Sequence, residues 1–383
     1  MSEPDGSQPA RPLRQALAGA VAMALLAAPG AVAAKVYTLY AGSYTDGASK
    51  GIYAWRFDSA DGSLAPLGLQ AQAVQPAHIW TAPNGKYLYA VNWEQPGWIS
   101  AFAVDRRTAK LTLLNRVSSE GDKPNQIVVD PSGRIAVTVN YRSGSIAAFR
   151  IQRDGRLSNA FFVERHNPAS VAPSGPVAKV HGAIFTKDGR YMFVADLGFD
   201  RVYSYRVDAA RAAIVPLDPA YVALHAQSGP RRLQLSADDR FLYVNHETDA
   251  EVSVFAVDAG KLTEIQTIAT LPAGTTVKTM TSEIVIDPTG RFLYVANRGP
   301  DDIAVFAVDK ASGRLAARGN VPSGGATPRN LRIDPTGQYL LCGNENGGTI
   351  TVFRIDSRSG ALTLTPHTGR IDTPGGLYFL PGE

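Results

Sequence analysis

One cysteine, Cys342, occurs in the 383 residues. A lone thiol excludes an internal disulfide framework, so the fold must be held by its apolar core alone. Cys342 lies in the apolar run YLLCGN, which reads as a buried, inert thiol and not as a nucleophile. No block of lysine and arginine stands out, and the formal net charge is only +4, which excludes the basic footprint of a nucleic-acid binder. The apolar run ALAGAVAMALLAA, residues 16–28, falls short of the roughly 20 residues that a membrane span needs. No G-x-S-x-G elbow is present, which argues against a serine acyl-enzyme. Neither an H-E-x-x-H motif nor a paired-carboxylate spacing occurs, and Asp196, Glu247 and Glu283, which could offer oxygen ligands, sit in different registers. No metal and no cofactor is therefore expected. A helical period is also missing after the first 34 residues.

What is present begins with an export signal. Arg11 and Arg14 precede the apolar run, and Ala31-Val32-Ala33 supplies an A-x-A cleavage site before Ala34 or Lys35. Residues 1–34 are thus expected to be a secretory signal peptide. Residues 35–383 would form the mature domain, periplasmic or secreted, with no membrane attachment after cleavage. No cysteine follows the apolar run, which argues against a lipoprotein.

The mature region repeats itself. Copies align on the residue that closes a tight turn: Lys86, Arg134, Arg190, Arg240, Arg291 and Gln338, at intervals of 48, 56, 50, 51 and 47. The turns read PNGK, PSGR, KDGR, ADDR, PTGR and PTGQ. Each is flanked by short apolar strands, such as QIVVD before it and YLYAVN after it, and each copy carries four strands in all. A period near 50 with four strands per copy predicts an all-β propeller of four-stranded antiparallel blades. Six copies are complete. The N-terminal strands YTLYAGSY and GIYAWRFD, with the C-terminal TPGGLYFL, supply a seventh blade whose pairing closes the ring. Closure removes the sheet edges that an open array would expose.

Strands one and two of a copy form a hairpin, so the start of one and the end of the other share an end of the blade. The residues nine and eight before the turn base, and six and seven after it, should then ring one mouth of the channel. Nine before stand Ala77, Asn125, His181, Arg231, Ser282 and Arg329; eight before stand His78, Gln126, Gly182, Arg232, Glu283 and Asn330. Six after stand Asn92, Asn140, Asp196, His246, Asn297 and Asn344; seven after stand Trp93, Tyr141, Leu197, Glu247, Arg298 and Glu345. Asn recurs six after and reads as architecture, bonding loop backbone as an Asx turn. His181, Arg231, Glu247 and Arg298 serve no repeated need, which marks them as catalytic candidates. His78, Gln126, Asp196, His246, Glu283 and Arg329 complete the expected substrate-binding rim. Strand alternation predicts that Arg231 and Arg232 cannot both face the channel. His181, Arg231 and Arg298 are expected to form a cationic arc facing Glu247 across the mouth.

The stretches YTLYAGSYTDGASKGIYAWRFD, VHGAIFTKDGRYMFVADLGFDRVYSY, SGPRRLQLSADDRFLYVNHE and SEIVIDPTGRFLYVANRGPDDIAVF resemble the bacterial 6-phosphogluconolactonase family of seven-bladed propellers, which also includes fungal carboxymuconate-lactonizing enzymes. The resemblance covers about residues 36–381. It implies an active site on His181, Arg231, Glu247 and Arg298, all present. Members often carry H-A-H where this chain has Lys179-Val180-His181, and Pro-x-His where it has Pro124-Asn125-Gln126. His246 stands where Asn usually precedes the Glu. These departures bear on the substrate more than on the four shared groups. The reading that results is a monomeric, exported, metal-independent lactonase acting on a sugar or related lactone, with an anionic small molecule as its partner. Glu247 or His181 would be the base, and the two arginines would hold the oxyanion and a substrate anion. A carboxymuconate cycloisomerase or a non-catalytic binding propeller are the alternatives.

Overall fold

The computed structural model describes residues 1–2, 35–166 and 177–382. The expected signal peptide lies, beyond its first two residues, outside the described residues. From Val36 onward the described chain forms seven four-stranded antiparallel sheets, and each complete repeat is one sheet in chain order. Blade 2 opens with the strand His78–Thr81, blade 3 with Pro124–Val129 and blade 4 with Val180–Phe185. Blade 5 opens with Pro230–Leu235, blade 6 with Met280–Ile286 and blade 7 with Pro328–Ile333. These innermost strands line the channel.

Blade 1 is the composite that the sequence predicts. Its inner strand is the C-terminal Pro374–Phe379, which pairs antiparallel with the N-terminal Val36–Ser43 in the register Leu39↔Phe379, Tyr40↔Tyr378 and Ala41↔Leu377. Residue 375 is an extra residue on its strand, between Ser43↔Pro374 and Gly42↔Gly376.

Apolar clusters between neighbouring blades hold the ring. One joins Val137, Ile146 and Ala148 of blade 3 to Val180, Met192 and Val194 of blade 4. Another joins Tyr294, Ile303 and Val305 of blade 6 to Leu340, Cys342 and Phe353 of blade 7. Cys342 is fully buried there, and burial pushes its thiol far above its ordinary range, so it packs and does not react. The tyrosine that recurs in the second strand has one task in several blades. Tyr89 donates to the Gly155 carbonyl at 3.1 Å, and Tyr294 to that of Gly360 at 3.0 Å, each reaching the last hairpin of the next blade. Both glycines have positive φ, 85° and 75°, and lie against an aromatic ring of the blade before, so a Cβ would meet both backbone strain and the ring.

The register six after the turn base works differently from the expected Asx turn. Asn92 donates to the Val74 carbonyl at 2.6 Å and Asn140 to that of Ser119 at 2.8 Å. Val74 and Ser119 follow the outermost strands of the preceding blades. These amides therefore staple blades 2 and 3 to the exit of the blade before.

Candidate active site

A recurring irregularity builds the mouth. In blade 5 Pro230 pairs with His246 and Arg232 with Asn245, so Arg231 has no partner and forms a bulge. His181, Asn125 and Arg329 are skipped in the same way in blades 4, 3 and 7. In blade 6 two residues, Ser282 and Glu283, are skipped. A bulge re-aims its side chain and breaks strict alternation. That overturns the expectation for Arg231 and Arg232, since both reach into the central network. Arg231 Nε donates to Glu247 at 2.6 Å. Arg232 crosses to both neighbouring blades, donating through Nη1 to the His181 carbonyl at 3.2 Å and standing 3.8 Å from the Glu283 carboxylate.

Glu247 begins the turn after the strand Phe241–His246, and its amide is pinned to the Gly229 carbonyl at 2.8 Å. One carboxylate oxygen, Oε2, gathers three cation-capable groups: Arg231 Nε at 2.6 Å, Arg298 Nη2 at 3.2 Å and His181 Nε2 at 3.9 Å. The other oxygen, Oε1, accepts no hydrogen bond from the described residues and is free for a water. Burial by itself would raise this carboxyl, but Arg231 and Arg298 outweigh it and hold Glu247 below the ordinary carboxylate range.

The arginines are themselves held. Arg231 is almost fully buried and also donates to the Ser282 carbonyl. Arg298 donates through Nε to Met280 O at 3.2 Å and through Nη2 to Thr281 O at 3.1 Å. Burial and the Arg231 charge bring the Arg298 guanidinium down to about 10, which leaves it charged at neutral pH. Nη2 of Arg231 and Nη1 of Arg298 have no acceptor among the described residues and remain available to an oxyanion.

His181 departs from expectation. Burial first, then the charges of Arg231, Arg232, Arg329 and Arg298, push it well below its ordinary range, so the ring is neutral and the arc contains two cations. Nor does the arc face Glu247 across the mouth, because all three groups close directly on the carboxylate. The ring is held by Asn125, whose Nδ2 reaches the His181 carbonyl at 3.1 Å, Nδ1 at 2.7 Å and Nε2 at 3.1 Å. Gly182 follows His181, and a Cβ there would strike the Arg231 carbonyl oxygen, so glycine permits the close approach of blades 4 and 5.

The expected substrate-binding residues divide. Arg329 belongs to the mouth, bonded to Glu345 at 3.2 Å and to the Tyr44 hydroxyl at 2.5 Å. His78, Gln126 and Glu283 lie deeper, where they line a channel of about 70 Å³, room for two or so waters and too small for a sugar. Gln126 accepts from the Ala183 amide at 2.7 Å and Glu283 from Asn330 at 2.7 Å, so both are girders between blades. His78 is buried beside Arg232 and Arg332; burial foremost and those charges push its ring well below its ordinary range, and its Nδ1 has no partner among the described residues. Asp196 and His246 are corrections. Asp196 is fully buried, accepting from His166 Nδ1 at 3.0 Å and from the amides of Lys179 and Gly198 at 2.9 and 3.0 Å, which leaves nothing for a substrate. His246 is equally buried and turns away from Glu247 toward Asp249 and Ser253.

Sequence reasoning missed Asn125 and Tyr141 as site residues, although both stand in rim registers. Tyr141 sets its ring edge-on to His181 at 5.7 Å, and Trp93 lies 5.9 Å beyond it, which gives the mouth an aromatic wall. A cleft of about 500 Å³ opens beside Glu247, lined by Tyr141, Lys179, Leu197, Lys278, Thr279 and Met280 among others. A larger cleft of about 740 Å³ lies at the opposite end of blades 3 and 4, but its Arg190 and Arg211 are already paired with Asp188 and Asp208 in exposed positions. The convergent groups make the Glu247 cleft the candidate site.

Residues 38–379 match the family model described as Lactonase, 7-bladed beta-propeller. The chain belongs to that family. It is 32% identical over 298 residues to a 6-phosphogluconolactonase of Bacillus subtilis, covering 77% of this chain and 84% of the relative. A 6-phosphogluconolactonase of Formosa agariphila is 30% identical over 304 residues, covering 76% and 85%. Among solved structures, the periplasmic gluconolactonase of Pseudomonas aeruginosa superimposes with a TM-score of 0.85 at 34% identity, over 90% of this chain and 99% of that one. The mouth just described is thus the candidate site of a lactonase-family propeller.

Proposed function

We propose that this protein is an exported, metal-independent lactonase that opens a sugar lactone carrying, or ending in, an anionic group. The observation that carries the reading is the asymmetry of Glu247, which lines the cleft: two arginines hold Oε2, and Oε1 accepts no hydrogen bond from the described residues. Glu247 is the base and not His181, whose ring is buried, held by the Asn125 amide and pushed well below its ordinary range. Oε1 takes a proton from water as the water oxygen bonds the lactone carbonyl carbon. The carbonyl electron pair moves onto its oxygen, where the free guanidinium hydrogens of Arg231 and Arg298 meet it. When that pair returns, the ring C–O bond breaks, and Glu247 passes its proton to the departing oxygen. The product is a hydroxy acid and the carboxylate is restored. His181 positions the carboxylate. Lys179 and Lys278 in the cleft wall, with Arg298, suit a carboxylate or phosphate on the substrate.

Export rests on the N-terminal pattern and is supported by the likeness to a periplasmic gluconolactonase. A periplasmic location favours an unphosphorylated sugar lactone or a lactone acid. The mature protein is expected to start at Ala34 or Lys35 and to run as a monomer, checked by N-terminal sequencing and light scattering. A pH-indicator screen of gluconolactone, its 6-phosphate and carboxylated butenolides tests the activity. Acid release from at least one, insensitive to EDTA, is expected; no turnover of any of them would overturn the reading.

A further inference from the structure

His246 occupies a staple register in which, as at Asn344, no amide or carboxylate tie to the preceding blade is made among the described residues. Elsewhere Asn92 and Asn140 bond the exit of the blade before, and Asp196 bonds His166 at the exit of blade 3. In blade 5 the equivalent position meets a second histidine, His225, in the loop after the outermost strand of blade 4, with ring centroids 5.5 Å apart. Asp249 and Glu251 complete a group whose ligand atoms all lie within 4.8 Å of one another. We propose that these four residues bind one divalent transition-metal ion of the zinc type, which joins blade 4 to the turn that carries Glu247.

Proton bookkeeping leads to this conclusion. Ser253 Oγ donates to Glu264 at 2.9 Å, so toward His246 it accepts, and His246 Nε2, 3.1 Å away, must be the donor. In the neutral ring Nδ1 then carries a bare lone pair. It faces both oxygens of Asp249, at 3.2 and 3.3 Å, which can only accept. His225 turns Nε2 to the same carboxylate group, 3.2 Å from Asp249 and 3.3 Å from Glu251. Two imidazole nitrogens and two carboxylates thus converge. A cation among them would take one ligand atom from each residue, and a charge of +2 neutralises the two carboxylates.

The spacing agrees. Ligands about 2.0–2.1 Å from a tetrahedral zinc ion stand about 3.3–3.4 Å apart, against the 3.2–3.3 Å found between facing atoms. Two imidazole nitrogens select zinc-like ions over calcium or magnesium, which take oxygen. The hydrogen bond from His246 to Ser253, continued to Glu264, is the outer contact that metal-bound histidines characteristically make. His246 is buried while His225 and Asp249 are exposed, so the ion has a preformed anchor and an open path. The clamp would be structural: Asp249 lines the same cleft as Glu247, but none of the four ligands takes part in the hydrolysis proposed above.

Zinc titration of EDTA-stripped full-length protein against a chromophoric chelator tests the proposal, with Co²⁺ absorption as the report on geometry. One ion per chain at micromolar affinity or tighter is expected, with an intense tetrahedral Co²⁺ band and a zinc-dependent rise in Tm. His225→Ala and Asp249→Asn, both at accessible positions, should each weaken binding at least tenfold and abolish the rise. Ser253→Ala should weaken it by about tenfold through the loss of the outer contact. No saturable binding by the wild type, or unchanged affinity in His225→Ala and Asp249→Asn, would overturn the site. Binding is read without any lactone, so its failure leaves the lactonase reading untouched, and the converse holds.

Discussion

Blades 3 and 5 share a plan and differ in charge. Both open with a proline, both bulge at the next residue, and both end the second strand where it meets the mouth. Blade 3 fills its four mouth registers with Asn125, Gln126, Asn140 and Tyr141, and blade 5 with Arg231, Arg232, His246 and Glu247. In blade 3 the three amides are consumed by the ring: Asn125 on His181, Gln126 on the Ala183 amide, Asn140 on the Ser119 carbonyl. The fold therefore needs a hydrogen-bonding group at these registers but no charge. The charges of blade 5 exceed what the architecture requires, and their desolvation is a cost that folding alone would not select.

The sharpest test is Glu247→Gln, which keeps shape and removes the base. Lactone turnover should fall by about 10²-fold or more with the melting temperature little changed. Full retention of kcat would show that blade 5 is no more chemical than blade 3. Arg298→Ala comes next. It should raise KM for a lactone acid by about tenfold or more, the value of a charge-assisted hydrogen bond, and raise it less for a neutral lactone. Equal losses on both substrates would assign Arg298 to the oxyanion alone. Stability should carry the signal on the architectural side. Asn140→Ala removes the staple to blade 2 and should cost about 1–3 kcal/mol in denaturant unfolding while kcat stays as it was. Gly182→Ala should cost a similar 1–3 kcal/mol by overpacking and also impair turnover, since it separates His181 from Arg231.

The smallest effect expected is a flat pH profile. Glu247 is held below the carboxylate range and His181 well below 6.5, so kcat/KM should show no inflection near pH 6.5. Stability follows the same signs. A neutral, depressed histidine withholds stability as pH falls below the unfolded value near 6.5, and a depressed carboxylate does so as pH falls through the usual carboxylate range. An inflection near 6.5 in turnover would mean that His181 titrates in the working enzyme.

The repeat made most of the fold legible: the turn residues set the period, and the orphan strands at both ends predicted their own pairing. Within the site, Arg231, Glu247, His181 and Arg298 were legible as single exceptions to a repeated register. Alternation misled at Arg232, because a bulge inserts a residue without leaving a mark in the hydrophobic pattern. The same reasoning placed Gln126, Asp196 and His246 on the rim, although their partners are amides, His166 or acids from neighbouring blades and turns. His166 and His225 lie in connecting loops, which have no register to read. A position six after the turn could have signalled its special partner, since only there do His and Asp replace Asn.

The composite blade gives the chain an order of completion. Ribosomal synthesis delivers His181, Arg231, Glu247 and Arg298 well before residues 374–379, which form the inner strand of blade 1. Until those residues emerge, Val36–Ser43 has an unpaired edge and the arc of blades has no reason to hold its curvature. A nascent or C-terminally truncated chain therefore owns every candidate catalytic group yet lacks the closed ring that brings them together, and its last strand acts as the clasp that arms it.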